Sequence, residues 1–244
     1  MKTIRVHSIE SFGTHDGPGI RMVVFLQGCN LQCIYCHNAD TIPLQSGTDM
    51  TSDEIVSQAI RLKPYFGTHG GVTFSGGEPL LQAKQLIPLI EQLHVHNIHV
   101  AIDTNGTVKN VYSHNIMKQH ADLVLFDIKA IDAEHFKSMT SNTLFEAHTE
   151  FIRIREQACK PYWIRYVVVP GYTDAPHHIE ALCNFVQPLK YLEKLQLLPY
   201  HSHGKHKWEL MNMQYTLHDV EAPCEAYMQK LSNILNKFCR VEIG

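Results

Sequence analysis

Arg21-Met-Val-Val-Phe-Leu-Gln-Gly-Cys29-Asn-Leu-Gln-Cys33-Ile-Tyr-Cys36 is an apolar run that ends in three crowded thiols. The run reads as a buried strand, with the cysteines where the chain leaves it. The other four, Cys159, Cys183, Cys224 and Cys239, share no short spacing and read as small, mostly buried apolar residues. Four thiolates would close a tetrahedral zinc site or saturate a four-iron cube. Three leave one metal position open, and an open iron can bind a substrate or cofactor. Zinc with His37 as fourth ligand is the competing reading. It is awkward, because adjacent side chains such as Cys36 and His37 rarely reach one metal without strain. The spacing favours iron and leaves zinc open.

The same pattern of apolar run and polar cluster recurs outward from this stretch. Val72–Phe74 leads to Ser75-Gly-Gly-Glu-Pro79, His99–Ile102 to Asp103-Thr-Asn-Gly106, and Leu123–Phe126 to Asp127-Ile-Lys129. Trp163–Val169 leads to Pro170-Gly171 and Leu195–Leu198 to Pro199-Tyr-His201. Helical patterns fill the gaps. Thr51-Ser-Asp-Glu54 has the form of a capping box. Leu80–Leu93 has apolar spacing near 3.6, with Pro88 as an expected disturbance. Glu225–Phe238 places Met228, Leu231, Ile234, Leu235 and Phe238 on one face. Alternating strand and helix implies α/β architecture with a parallel sheet. Six such units, against eight in a closed barrel, predict a partial (β/α)6 TIM-like barrel; a doubly wound open sheet is the competitor. Either way, the polar clusters gather at the C-terminal ends of the strands. No repeat or Pro/Gly/Ser-rich linker divides the chain, so residues 1–244 read as a single domain.

The 244 residues are 44% hydrophobic and carry a net charge of −3 from 21 basic and 24 acidic side chains. No charge run marks a dedicated nucleic-acid surface. The N-terminus lacks the apolar core of a signal peptide, and no stretch approaches the roughly 18 apolar residues of a membrane span. Seven cysteines with three crowded together do not form a disulfide framework. The chain reads as soluble and cytoplasmic, in a reducing compartment.

The strand-end clusters have functional and plain readings. Gly76-Gly77 lets a backbone approach a ligand closely, and Glu78 can receive an ammonium group; a simple turn explains the same residues. Asp103 and Asp127 are helix caps or, with Lys129, holders of a cation or hydroxyls. Lys129, Arg165 and His201 are donors suited to a carboxylate. Arg165 lies inside an apolar strand, so it needs an anion or a carboxylate partner. The seventeen histidines, His94, His96, His99, His201, His203 and His206 among them, receive no metal role, since their loop spacing is not specific.

Together these segments resemble the radical S-adenosylmethionine (SAM) superfamily. Its Cys-x3-Cys-x-aromatic-Cys signature is matched by Cys29, Cys33, Tyr35 and Cys36, and its methionine-amine motif by Gly76-Gly77-Glu78-Pro79. Longer segments resemble its glycyl-radical activating enzymes: His7–Arg21, Tyr35–Asn38, Asp103–Gly106, Ile164–Gly171, Leu197–His201 and Gly204–Trp208. The likeness runs from about residue 4 to the C-terminus. Several related activases carry a cysteine-rich, ferredoxin-like insert after the first cluster; residues 37–75 contain no cysteine, so that insert is absent, which favours the single-cluster type.

The resemblance implies a radical SAM fold and a [4Fe-4S] cluster on Cys29, Cys33 and Cys36. It implies SAM contacts from Tyr35, Cys36, His37, Gly77, Glu78, Asp127, Ile128, Lys129, Arg165 and His201. A Na+ or K+ site is implied at Asp103, Thr104 and Asp127. Asp16 and Arg21 are implied to receive the glycine loop of a glycyl-radical protein, with reduced flavodoxin or ferredoxin as electron donor and a monomeric enzyme. The implied reaction cleaves SAM reductively and removes a glycine Cα hydrogen from the partner. The alternatives are activation of a different glycyl-radical enzyme, a radical SAM enzyme acting on a small molecule, and a zinc-binding module without catalysis.

Overall fold

The computed structural model describes residues 3–244. Its strands are β1 (Thr3–Gly13), β2 (Arg21–Leu26), β3 (Thr48–Thr51), β4 (Gly71–Gly76), β5 (His99–Thr104), β6 (Leu123–Ile128), β7 (Tyr162–Val168), β8 (Leu192–Pro199) and β9 (Val241–Ile243). The α-helices are α1 (Ser52–Phe66), α2 (Ala83–Val95), α3 (Val111–Asn115), α4 (Ala133–Thr140), α5 (Phe145–Gln157), α6 (Pro176–Val186), α7 (Lys205–Leu210) and α8 (Glu225–Leu235).

One sheet holds all nine strands in the order β3-β1-β2-β4-β5-β6-β7-β8-β9. From β2 to β9 every neighbouring pair is parallel. From β1 onward the strand order advances in one direction, as in a barrel, whereas a doubly wound sheet reverses. Because the order ends in β3 and β9, the sheet does not close on itself among the described residues. The expected partial barrel of parallel βα units is therefore observed. The six expected strands all form. The short β3 and β9 and the antiparallel β1 are additions that sequence reading missed. β1 alternates buried and exposed side chains along much of its length, a weaker signal than the apolar runs of the centre.

The two-residue period of a strand sorts the central side chains onto two faces. Val72, Phe74, Val100, Ile102, Val124, Phe126, Ile164 and Tyr166 are all at most 1% exposed and pack in the core shared with the helices. Their alternates, Thr73, Ser75, Asp103, Asp127 and Arg165, share the opposite, inner face. Ala101, Leu123, Leu125 and Trp163 form a small apolar cluster there. Polar atoms inside the barrel thus follow from strand periodicity.

The capping box at Thr51 forms in full: Glu54 N donates to Thr51 Oγ1 at 3.3 Å, and Thr51 N donates to Glu54 Oε2 at 2.7 Å. In α2 the helix runs through Pro88 without interruption. It starts at Ala83, after a 3-10 turn at Pro79–Gln82, rather than at Leu80. In α8 the buried stripe is Met228, Leu231 and Leu235, while Ile234 and Phe238 are 36% and 38% exposed. Phe238 lies beyond the last helical residue, and Ile234 is rotated off the stripe.

Two buried arginines close the N-terminal ends of the strands. Arg155, on α5, donates to the carbonyls of Met117, Ala121, Asp122 and Pro161 at 2.7–3.1 Å. Those carbonyls belong to the segments that precede β6 and β7. Replacing Arg155 by Met strands them in a dry interior. The expected loss is about 3 kcal/mol of unfolding free energy, measured in urea, and Arg155→Lys does not restore it because one ammonium cannot span the set.

Candidate active site

The cysteine loop leaves β2 through Gly28, whose φ of +101° suits a residue without a side chain. A Cβ there would lie 2.9 Å from Leu44 Cδ2. Gly28 N donates to Thr41 O at 2.8 Å and Cys29 N to Ile42 O at 3.1 Å. Farther along, Gln32 N and Ile34 N donate to the carbonyls of Thr140 and Met139, at the end of α4. Trp208 Nε1, on α7, donates to Cys36 O at 2.8 Å. The loop is therefore held by elements more than a hundred residues away in sequence.

All three thiols line one cavity of about 710 Å3, at the C-terminal ends of the strands. Burial pushes Cys29 and Cys33 up to about 12 and Cys36 up to about 11. Neighbouring sulfurs add to each rise, and Lys129 opposes it. Grouped thiols that resist ionisation in a dry pocket are suited to a cation, which supplies the charge that their thiolates need.

Glu78 has a different part from the expected ammonium contact. Its carboxylate is fully buried and already committed. Oε1 accepts from Thr104 Oγ1 at 2.7 Å and from Leu80 N at 2.9 Å, and Oε2 accepts from Asn105 N at 2.8 Å. Its own N–H donates to Gly28 O at 2.8 Å. Glu78 therefore fastens the turns after β4 and β5 to the cysteine loop. Gly77 does reach the cavity, and a Cβ on it would lie 2.1 Å from Gly28 O. A carboxylate can be a scaffold as readily as a ligand, and the sequence does not separate the two.

The inner wall is charged. Arg165 Nη1 donates to Asp103 Oδ2 at 3.0 Å, and its guanidinium lies 3.9 Å from Asp127 and 4.0 Å from Asp16. Lys129 Nζ pairs with Asp127 Oδ2 at 2.9 Å and stands 5.7 Å over the Tyr35 ring. Burial opposes the Arg165 charge, but Asp103, Asp127 and Asp16 hold it above its ordinary value. Burial lifts Asp103 to about 6 against the pull of Arg165. For Asp127, burial is outweighed by Lys129 and Arg165, which keep its carboxyl below the ordinary range. Of the expected Na+ or K+ set, Asp103, Thr104 and Asp127 all line the cavity, with the Thr104 hydroxyl spent on Glu78.

Opposite this wall, the His37 and His201 rings meet edge to face at 4.4 Å. Burial and neighbouring cations push His37 down to about 4. Two expected residues lie elsewhere. Ile128 packs in the helix-facing core, on the other side of the strand from Asp127. Arg21 is fully buried, and its donors reach Thr73 Oγ1 and the carbonyls of Pro18, His69, Val72 and His99. It clamps the N-terminal ends of β2, β4 and β5, so the peptide-contact reading of Arg21 is corrected. A conspicuous arginine beside Gly-Pro-Gly was serving backbone carbonyls.

Sequence reading missed Asn105 and His148. Asn105 Nδ2 reaches Cys29 Sγ at 3.8 Å and Asn30 Oδ1 at 3.3 Å. His148 Nδ1 contacts Asn105 O at 2.7 Å, and its Nε2 accepts from Lys129 N at 3.4 Å. Asn105 stood in plain view within Asp103–Gly106. His148 lies within α5, where nothing marks it.

The site fits an iron–sulfur cluster and SAM. Among the described residues, three thiols and no further cysteine line the cavity. Asp103 Oδ1, Arg165 Nε and His201 Nδ1 are buried without hydrogen-bond partners, and their residues line it. Three aspartates against Arg165 and Lys129 leave a surplus of negative charge when all are ionised. A sulfonium amino acid carries net positive charge, as well as the ammonium and carboxylate that such a wall can pair.

The sequence profile of the Radical SAM superfamily matches residues 23–186. The pyruvate formate-lyase-activating enzyme of Clostridium pasteurianum is 44% identical over 96% of this chain and 97% of its own length. Its namesake from Staphylococcus aureus strain USA300 is 41% identical over 89% of each. Among solved structures, a domain of pyruvate-formate lyase-activating enzyme from Bacteroides vulgatus ATCC 8482 has a TM-score of 0.60 at 26% identity, covering 72% of this chain and 99% of that one. Streptococcus suis SuiB bound to precursor peptide SuiA shares the fold, with a TM-score of 0.72 at 14% identity over 97% of this chain and 50% of that one.

Burial lifts Glu78 from 4.5 to about 7 despite its hydrogen bonds. The unfolded chain therefore releases this proton first. The stabilisation by the protonated carboxyl is complete below the unfolded value and is lost as pH rises through the folded one. In cluster-free protein, urea titrations should show unfolding free energy falling between about pH 5 and about 7, with a shallower fall in Glu78→Gln. Equal slopes would mean that Glu78 is ionised throughout.

Proposed function

Because the chain belongs to the Radical SAM superfamily, and within it to the family of pyruvate formate-lyase-activating enzymes, we propose that its cavity serves glycyl-radical formation on pyruvate formate-lyase. Supporting this reading is the meeting of three thiols with the Arg165–Asp103–Asp127 wall in one cavity. When bound, a [4Fe-4S] cluster supplies the electron that cleaves SAM to methionine and a 5′-deoxyadenosyl radical, which takes a glycine Cα hydrogen from the partner protein.

Cys29, Cys33 and Cys36 would hold the cluster, three thiolates for a group of four irons, so that the cluster could also engage SAM. The backbone at Tyr35–His37 and Gly77 seats the cofactor, with Asp127, Lys129, Arg165 and His201 around it. Asp103, Thr104 and Asp127 remain the residues for a monovalent cation beside the cofactor carboxylate. The backbone of Ile128 is the only part of that residue open to a contact with SAM, since its side chain faces the core. The dry wall fixes the reacting groups and limits the water that would quench a radical.

Asp16 meets the partner's glycine loop. Its carbonyl accepts from Thr73 Oγ1 at 2.6 Å, which fixes the backbone while the carboxylate faces the cavity. A second cavity of about 700 Å3, lined by Thr14, Gly17, Trp163 and Gln196, shares His15 and Gly244 with the first. It gives an extended loop a route from the open side of the sheet. The electron donor is reduced flavodoxin or ferredoxin. The enzyme works as a monomer in the cytoplasm. Among the described residues, no helix is long and apolar enough to cross a membrane.

Anaerobic, iron-loaded protein incubated with pyruvate formate-lyase, SAM and a reductant should yield a glycine-centred doublet in electron paramagnetic resonance. Cys33→Ala should abolish both the doublet and 5′-deoxyadenosine; turnover that survives would defeat the ligand assignment. Asp16→Asn should lower the radical yield at least about tenfold more than it lowers cofactor cleavage, the worth of one lost charged hydrogen bond. Equal loss of both products would remove Asp16 from peptide contact.

A further inference from the structure

Away from the cavity, the turn after β6 meets the start of α6. Asp132 caps α4, and His135 lies one turn along it. His178 comes from the first turn of α6. One ligand atom from each of these residues lies within 4.8 Å of the others. The imidazoles of His135 and His178 stack face to face, with centroids 3.9 Å apart and planes 4° from parallel. Both ring nitrogens of His135, and Nδ1 of His178, are buried without a well-formed hydrogen bond, and the Tyr172 backbone is the one hydrogen-bond acceptor that influences both rings. Asp132 Oδ1 accepts from His135 N at 2.8 Å, which fixes the carboxylate and leaves Oδ2 for another partner.

Buried nitrogens without partners are costly, and stacking satisfies none of them. Two imidazoles and a carboxylate from two elements form the donor set that borderline divalent ions prefer; because stacked rings aim their lone pairs in parallel planes, one imidazole turns about its side-chain bonds for both to meet one ion, and water completes the coordination.

We propose that Asp132, His135 and His178 form a second metal site, for a divalent ion of the zinc class, distinct from the cysteine cluster. The ion joins the turn after β6, the turn that begins at Lys129 in the cavity wall, to the helix that follows β7. Its role is to brace the rim of the cavity. The site stands on its own geometry, independently of the reaction assigned to the cavity.

The test uses untagged, cluster-loaded protein, dialysed without oxygen against graded ZnCl2, with bound zinc and iron counted by mass spectrometry. Wild type should take up one zinc per chain with iron content unchanged, and zinc should raise its melting temperature. His135→Gln and His178→Gln should each weaken zinc binding at least about tenfold and abolish the melting shift. Should either histidine variant misfold, Asp132→Asn, which keeps the capping oxygen, carries the test with the same expected weakening. No saturable zinc in wild type overturns the site. So does undiminished binding by the variants, or zinc gained only as iron is lost.

Discussion

Glu78 lies fully buried beneath the cavity, where its carboxylate gathers three hydrogen bonds from the turns after β4 and β5. Its amide binds the Gly28 carbonyl at the root of the cysteine loop. Asn105, held by that carboxylate, reaches on to Cys29. The positions of the thiols therefore depend on an acid that never faces the cavity. Buried polar networks of this kind are rigid only when every member is satisfied. Here the satisfaction comes from three strand ends that a parallel sheet places side by side.

The charged wall follows the same logic with another outcome. Strand periodicity puts Asp127 beside Arg165 in register and turns both inward. Asp103, one strand beyond β6, completes the pair with Arg165. Each charge is tolerable in a dry interior only because the others are present. Their pairing remains incomplete, since Asp103 Oδ1 and Arg165 Nε lack partners. Incomplete pairing distinguishes this wall, which can receive a charged ligand, from the saturated Glu78 network beneath it.

The opposite end of the barrel has buried arginines too, and they show why residue type alone does not define a role. Arg21 and Arg155 spend their donors mainly on carbonyls at strand starts. Arg165 spends one on a carboxylate in the cavity. In sequence all three are arginines near apolar runs. What separates them is the end of the strand on which each side chain falls, and whether the local backbone has unpaired carbonyls.

The amino-acid sequence by itself determined the six parallel strands, the capping box of α1 and the three-thiol loop, because these depend on local periodicity and spacing. It also marked Asp103, Asp127, Lys129 and Arg165 as strand-end or inward groups, since alternation along a strand is a local property. Only the tertiary structure decided that Glu78 is a staple and Arg21 a clamp, that Ile128 faces the helices, and that His148 backs the cavity. It alone brought His135 and His178 together from separate helices. Such roles depend on which unpaired backbone groups and side chains arrive from distant strands, and no local pattern carries that information.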